Sequence, residues 1–359
     1  MYSDILINKV INKTILNQII NEAVDAPSGE NCQPWKFTIS GEKLLTVYCI
    51  KSRDRSVFNS KNRTTLIACG ALLQNIDIIA HHYGYIAKIN IFPDSNDDTC
   101  IATITFTHEE ASLPEKETLY RTLHQRKSTR GPFKKTDVAQ FEKLIRHLSF
   151  EETTTLKVTT QEKHITTLAH ALSVNDFLII HNKHFHHFFF LHIIWNQKSK
   201  NIGFLIKTLG ISPLKQFALY ILRFWFFTNI LNKCNFAEKI ANDASEVTAT
   251  ASLIGCFCIK EDTPRVYIDL GKDLQKVWLF ATSQHFSFQN FGAPILRFTK
   301  EEHPHIFTEE EHIKIEDAIL NIETIFKKGK GFPVLLFRVG EATRDVPKTK
   351  KMKPFITYR

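Results

Sequence analysis

The chain of 359 residues is poor in the signatures of several common functions. Its seven cysteines (Cys32, Cys49, Cys69, Cys100, Cys234, Cys256 and Cys258) are odd in number and include no Cys-x-x-Cys pair. That argues against a disulfide framework or zinc ribbon and fits a reducing cytoplasm. No Gly-x-Gly-x-x-Gly fingerprint, Walker loop or Gly-x-Ser-x-Gly elbow occurs, so neither a Rossmann, a P-loop nor an α/β-hydrolase reading is supported. The N-terminus carries Asp4 and lacks a basic region followed by a long apolar run, so no signal peptide is expected. The most apolar stretch, residues 217–231, contains Arg223 and is short of the roughly 20 residues a membrane span needs, so the chain reads as soluble, with an interfacial helix as the alternative. Acids are also in deficit: 46 Lys and Arg against 37 Asp and Glu give a net charge of +9. Such a surplus suits nucleic acid, an anionic membrane surface or a phosphorylated ligand, and its location has to separate them.

What is present begins with an internal repeat. Gly70, Leu73, Gln74 and Ala80 are matched by Gly271, Leu274, Gln275 and Ala281, and Ile76 and Ile78 are answered by Val277 and Leu279, all at an offset of 201. Upstream, Tyr48-Cys49-Ile50-Lys51 is answered by Phe257-Cys258-Ile259-Lys260 at an offset of 209. A strand, a connection and a helix therefore appear twice, and the simplest packing of two such halves is about a pseudo-twofold axis. We divide the chain into a first half, residues 1–112, and a second, residues 113–359, with the boundary in the polar stretch 108–115.

Periodicity predicts a mixed α+β chain. Ile15, Leu16, Ile19, Ile20, Ala23 and Val24 lie at helical spacing until Pro27 ends the pattern, and two strand-like runs flank Gly41 as a hairpin. A helix over 64–83 and strands near 86–92 and 100–107 complete the first half. The second is predicted to hold helices at 115–126, 137–149, 161–180, 271–285 and 309–327, with strands near 154–160, 250–260 and 333–339. Thr308 and Glu311 form a capping-box pattern. Residues 177–236 hold 11 of the 29 Phe, with Trp195 and Trp225, and read as buried core or as a cover over an apolar ligand. His181, His184 and His187 share helix faces there, yet no Cys and few acids accompany them, so no metal site is assigned.

The most specific local string is Ala26-Pro27-Ser28-Gly29-Glu30-Asn31-Cys32-Gln33-Pro34-Trp35, directly after the first helix. Pro and Gly fix an irregular backbone, while Ser, Asn and Gln supply donors and acceptors able to read the polar edge of a planar heterocycle. Two basic segments follow: Arg126-Lys127-Ser128-Thr129-Arg130, and Val346-Pro347-Lys348-Thr349-Lys350-Lys351-Met352-Lys353-Pro354. Guanidinium, ammonium and hydroxyl groups together suit a phosphate.

The loop closely resembles the Pro-Ser-x-x-Asn-x-Gln-Pro-Trp loop of the nitroreductase family of FMN-dependent oxidoreductases. The basic segments are similar to that family's Arg-x-Ser-x-Arg/Lys and C-terminal Pro-Lys-x-Arg-x-Pro segments. Because the loop occurs in the first half and both basic segments in the second, the chain resembles the double-length, Acg-type branch, in which one chain mimics a nitroreductase homodimer.

The resemblance implies a nitroreductase-like three-layer α/β/α fold with two pseudo-symmetric halves and one FMN per chain. Arg126, Lys127, Ser128, Lys348 and Lys350 would hold the phosphate. Pro27, Ser28, Gly29, Asn31 and Gln33 would line the isoalloxazine, and Arg130 would sit near N1 and O2, where positive charge favours the reduced ring. Gly203 and Phe204 would cover the opposite face. Gly29 stands where a second Ser is common, and Lys350 where an Arg is, which keeps charge and loses the fork.

Two functions follow from the resemblance. One is NAD(P)H-dependent ping-pong reduction of a nitroaromatic, quinone or similar small-molecule acceptor. The other is a silent flavin store closed by residues 177–236. Nucleic acid and membrane are not expected partners, and the chain is expected to be a monomer built as a pseudo-dimer, or a homodimer. The charge agrees: residues 119–136 carry +6 and residues 344–359 carry +5, leaving the rest of the chain at −2. The two segments are predicted to converge on one phosphate.

Overall fold

A computed structural model describes residues 11–41, 43–56, 58–109, 113–196, 202–326 and 331–359. Part of the expected boundary, residues 110–112, and Asn201 lie outside them.

Chain order begins with helix α1 (Lys13–Ala23), strands β1 (Trp35–Ser40) and β2 (Leu44–Cys49), helix α2 (Arg63–His82), and strands β3 (Tyr85–Ile91) and β4 (Cys100–His108). Helix α3 (Pro114–Thr122), β5 (Phe133–Lys134), α4 (Ala139–Ile145) and β6 (Thr154–Thr159) follow. A long excursion then holds α5 (Glu162–Leu172), α6 (Val174–His181), α7 (Lys183–Leu191), β7 (Ile193–Ile194), β8 (Phe204–Leu205), α8 (Pro213–Leu222), α9 (Trp225–Asn232) and α10 (Phe236–Ala249). The chain closes with β9 (Leu253–Ile259), α11 (Pro264–Ser283), β10 (Ser287–Phe291), α12 (Leu296–Glu302), α13 (Glu309–Phe326), β11 (Phe332–Ala342) and β12 (Ile356–Tyr358).

The two large sheets run β12-β1-β2-β4-β3 and β10-β11-β9-β6, with β5 added to β11. Four strands of each therefore share one topology, in which β1, β2, β3 and β4 correspond to β6, β9, β10 and β11. The repeated helices α2 and α11 occupy equivalent places between the second and third strands of each set. All these neighbours are antiparallel; only β12, which crosses to the first sheet, pairs parallel, with Phe37 opposite Ile356.

The helices α2 and α11 meet at the repeated glycines. A Cβ on Gly70 would lie 2.0 Å from the Ile268 carbonyl oxygen, and one on Gly271 would lie 2.0 Å from that of Ile67. Both contacts reach the residue three before the partner glycine, so the approach is reciprocal, and only glycine permits backbones this close. One core cluster joins the first sheet, α2, α11 and one face of the second sheet through Leu253, Phe257 and Ile259. The alternate residues of β9, Ile254, Cys256 and Cys258, face a second cluster built on α5, α6, α10 and α13. This alternation explains why all seven residues of β9 are buried: the second sheet is covered by helices on both faces. The α+β class expected from the sequence is the one observed.

Several elements depart from the sequence reading. The helix expected over 161–180 is two, divided at Ser173, whose hydroxyl donates to the His170 carbonyl at 2.8 Å. Helix α11 begins at Pro264 rather than 271, with Pro in its first turn. Strands β10 and β12 were not anticipated. Thr308 and Glu311 do form the reciprocal cap, at 2.8 and 3.3 Å.

Candidate functional site

The loop after α1 is held in a conformation that its residues do not favour. Glu30, Asn31 and Gln33 have φ of 42°, 54° and 49°, in the left-handed region that costs a non-glycine residue about 1–2 kcal/mol. Gln33 offsets that strain. Its amide N–H donates to Ser28 Oγ (3.0 Å), its Nε2 donates to the Asn31 carbonyl (3.0 Å), and its Oε1 accepts from Met352 N–H (2.7 Å). Asn31 Nδ2 donates to the Lys350 carbonyl at 3.1 Å. The loop of the first half is thus fastened to the C-terminal basic segment. It is also fastened to the excursion, because Gly203 N–H donates to the Glu30 carbonyl at 2.8 Å.

Beside this loop lies a cavity of about 750 Å³, within the range of small-molecule sites. Pro27, Ser28, Gly29 and Asn31 line it, as do Arg126, Lys127, Ser128, Arg130, Phe204 and Lys348. Three residues expected at the site are elsewhere. Gln33 is buried as the loop's clamp, Gly203 joins β8 to the loop, and Lys350 is exposed and offers only its carbonyl. Lys351 takes the place foreseen for Lys350. The segment 346–354 is irregular, so no period in the sequence distinguishes the two neighbours.

The cations are strongly desolvated. Burial lowers the Arg126 guanidinium to about 10 and the Lys351 ammonium to about 7, the latter aided by repulsion from Arg126. Lys348 and Arg130 are lowered by burial as well. Lys348 Nζ donates to Asp25 Oδ2 (2.8 Å), and Lys351 Nζ to the Ala26 carbonyl (2.7 Å). Arg126 donates through Nη2 to the Asp25 carbonyl (2.8 Å) and lies 4.5 Å over the Trp278 ring. Its Nε is buried without a hydrogen-bond partner among the described residues, as is Trp278 Nε1. Positive charge held away from water with unspent donors is the electrostatic complement of a bound anion. Lys127 is engaged differently, in an ion pair with Asp345.

Arg130 lies 5.3 Å over the Phe204 ring, and its backbone is set from behind by Arg338, a buried residue of β11 that sequence reasoning missed. Arg338 Nη2 donates to the carbonyls of Arg130 (3.0 Å) and Gly131 (2.8 Å), and its Nε to Gln289 Oε1 (2.9 Å). Glu30, also on the cavity wall, is raised to about 8 by burial and by Asp54, against the pull of Arg130. Asp176 at the start of α6 is raised to about 6 by burial. Asp176 lies in no motif, and Glu30 stands at an unassigned position of the loop. Of the clustered histidines, His181 spends Nδ1 on Glu311 (2.8 Å) and His186 faces the Leu222 carbonyl (2.8 Å).

No family model matches the chain. A Mycobacterium tuberculosis protein described only as uncharacterized is 30% identical over 122 residues, a match spanning 33% of this chain and 36% of that protein. The putative NAD(P)H nitroreductase acg of the same organism is 26% identical over 98 residues, 27% of this chain and 29% of its own. The match thus spans about a third of the length of these relatives. Among solved structures, a putative nitroreductase from Anabaena variabilis is 9% identical, with 91% of this chain and 88% of the other covered and a TM-score of 0.42. The loop and the two basic segments in order agree with these partial matches: over about a quarter of its length the chain is similar to putative NAD(P)H nitroreductases.

Proposed function

We propose that the cavity holds one FMN and that the protein is an FMN-dependent NAD(P)H oxidoreductase of nitroreductase type. The observation that carries this reading is the convergence of Arg126, Lys348 and Lys351, all lining the cavity, on Asp25 and Ala26 at the start of the Pro27–Asn31 loop, with Arg126 Nε unpartnered among the described residues. The groups fit a flavin mononucleotide. Arg126, Lys348 and Lys351 hold its phosphate, Ser128 adds a hydroxyl, and Pro27, Ser28, Gly29 and Asn31 bound the ring. When bound, the flavin supplies the capacity to take a hydride from NAD(P)H and pass electrons to an acceptor. The chain's own part is positional and electrostatic. Arg130, held by Arg338, places positive charge beside the ring, and Phe204 with the helices of the excursion excludes water.

The identical strand order of the two sheets and the reciprocal glycine contact favour a single chain that mimics a nitroreductase dimer, with only one of two possible sites furnished. Seven free cysteines, six of them buried, are consistent with the cytoplasmic placement. A second reading, flavin storage, is favoured by the excursion, which sets Phe188, Phe189 and Phe204 against the cavity where a nicotinamide would have to stack. The visible spectrum of the purified protein tests both. Flavin bands that bleach on anaerobic NADPH support the oxidoreductase; a yellow protein indifferent to NADPH supports storage. A colourless protein that ignores added FMN overturns the two together.

A further inference from the structure

We infer that the helix pair α8–α9 is a docking face for an anionic phospholipid bilayer. The pair is apolar in composition and yet is not core: no residue of α8 is buried, and in α9 only Thr228 is. Leu214, Phe217 and Phe226 are 78%, 62% and 68% exposed, and Tyr220, Phe224 and Phe227 stand beside them. A soluble monomer rarely presents so many large apolar side chains from one short hairpin of helices.

Charge selects the occupant. From residue 177 to 237 the sequence contains no Asp or Glu, while Lys207, Lys215, Arg223 and Lys233 fall within or beside the pair. The Arg223 guanidinium lies 3.9 Å over Tyr220 and 4.7 Å over Phe224, with Nε unpartnered among the described residues. A cation lying against aromatic rings at an apolar surface suits the headgroup boundary, where phosphates meet acyl chains. A second copy of this chain would instead set these cations against their own counterparts. The inner side of α8, through Leu219 and Leu222, lines the cavity, so the docked helix would separate the bilayer from the site by one layer of side chains. Attachment is peripheral, because the one described helix long and apolar enough to span a membrane, Ser60–His82, is buried in the core.

Sedimentation of the full chain as purified with vesicles tests this without reference to flavin. Binding to equimolar phosphatidylcholine and phosphatidylglycerol should exceed binding to phosphatidylcholine alone by about tenfold or more, and fall with added salt. Lys233→Gln should lower it roughly fivefold. Phe217→Glu combined with Phe226→Glu should abolish it while leaving the circular dichroism and melting temperature unchanged, since both rings face solvent. Failure of the native chain to bind the anionic vesicles, or equal binding to both compositions, overturns the inference. So does a dimer by light scattering that the double variant dissociates, which would assign the patch to a second copy.

Discussion

The two halves of the molecule share a strand order and differ in two connections: α12 and α13 lie between β10 and β11 where β3 and β4 are joined directly, and the link between the first two strands of each set differs more. In the first, β1 and β2 are joined by a tight turn at Gly41, whose φ is +59°. In the second, the corresponding strands β6 and β9 are separated by residues 160–252, whose described residues form six α-helices and a two-stranded ribbon beside the cavity. The first half contributes a strained polar loop; the second contributes the cations and the cover. A common scaffold can therefore carry unequal roles when chemistry is confined to its connections, as is general for folds whose loops hold the site.

The comparison breaks most severely at the helix crossing. If the two halves meet symmetrically, Gly70→Ala and Gly271→Ala should each cost about 3 kcal/mol of stability, because the new methyl meets a backbone carbonyl that cannot rotate away. Urea denaturation of both variants checks this, and a large loss from only one would show that the contact is not reciprocal in energy.

The unequal roles are tested next. Arg126→Met should weaken FMN by about 2 kcal/mol, roughly thirtyfold, by removing a buried charge-assisted donor. Lys350→Ala should change affinity less than about twofold, since that side chain is exposed. Titration followed by flavin fluorescence reads both, and equal losses would return Lys350 to the site.

Smaller is the pH dependence. Lys351 titrates near 7 in the folded chain against an ordinary 10.5. Between those values the unfolded chain binds more protons, so Lys351 makes the flavin-free protein more stable as pH rises from about 7 towards 10.5. An anion that restores its charge works in the opposite sense, and FMN affinity should fall over the same rise. Glu30, raised from 4.5 to about 8, lowers stability as pH climbs through that earlier window. The readout is therefore the urea midpoint of the flavin-free native chain minus that of Lys351→Met, which should rise from pH 7 to pH 10 as the cost of burying the charged ammonium disappears. The smallest effect, about 1 kcal/mol, is expected for Thr308→Ala, which removes one side of the cap on α13, a helix without a counterpart in the first half.

The first half was the more legible in sequence. Helix α1, the hairpin and α2 follow from apolar spacing, Pro27 and Gly41, because each is a local pattern terminated by a local signal. The excursion was not, because its uniform aromatic content has no clean period: Ser173 and Asn182 break it by hydrogen bonds to their own neighbours, and exposed Phe217 reads the same as buried Phe185. Strand β12 is three residues long and exists only because β1 offers it an edge.

Sequence alone determined the loop, the basic segments and their order, since these are fixed by residue type and spacing. It also marked Gly70 and Gly271, though not that they touch. Only tertiary structure decided that Lys351 rather than Lys350 faces the cavity, that Gln33 clamps instead of lining, and that Arg338 sets Arg130. These are differences of direction between adjacent side chains on irregular backbone, and direction there is imposed by distant contacts rather than by local periodicity.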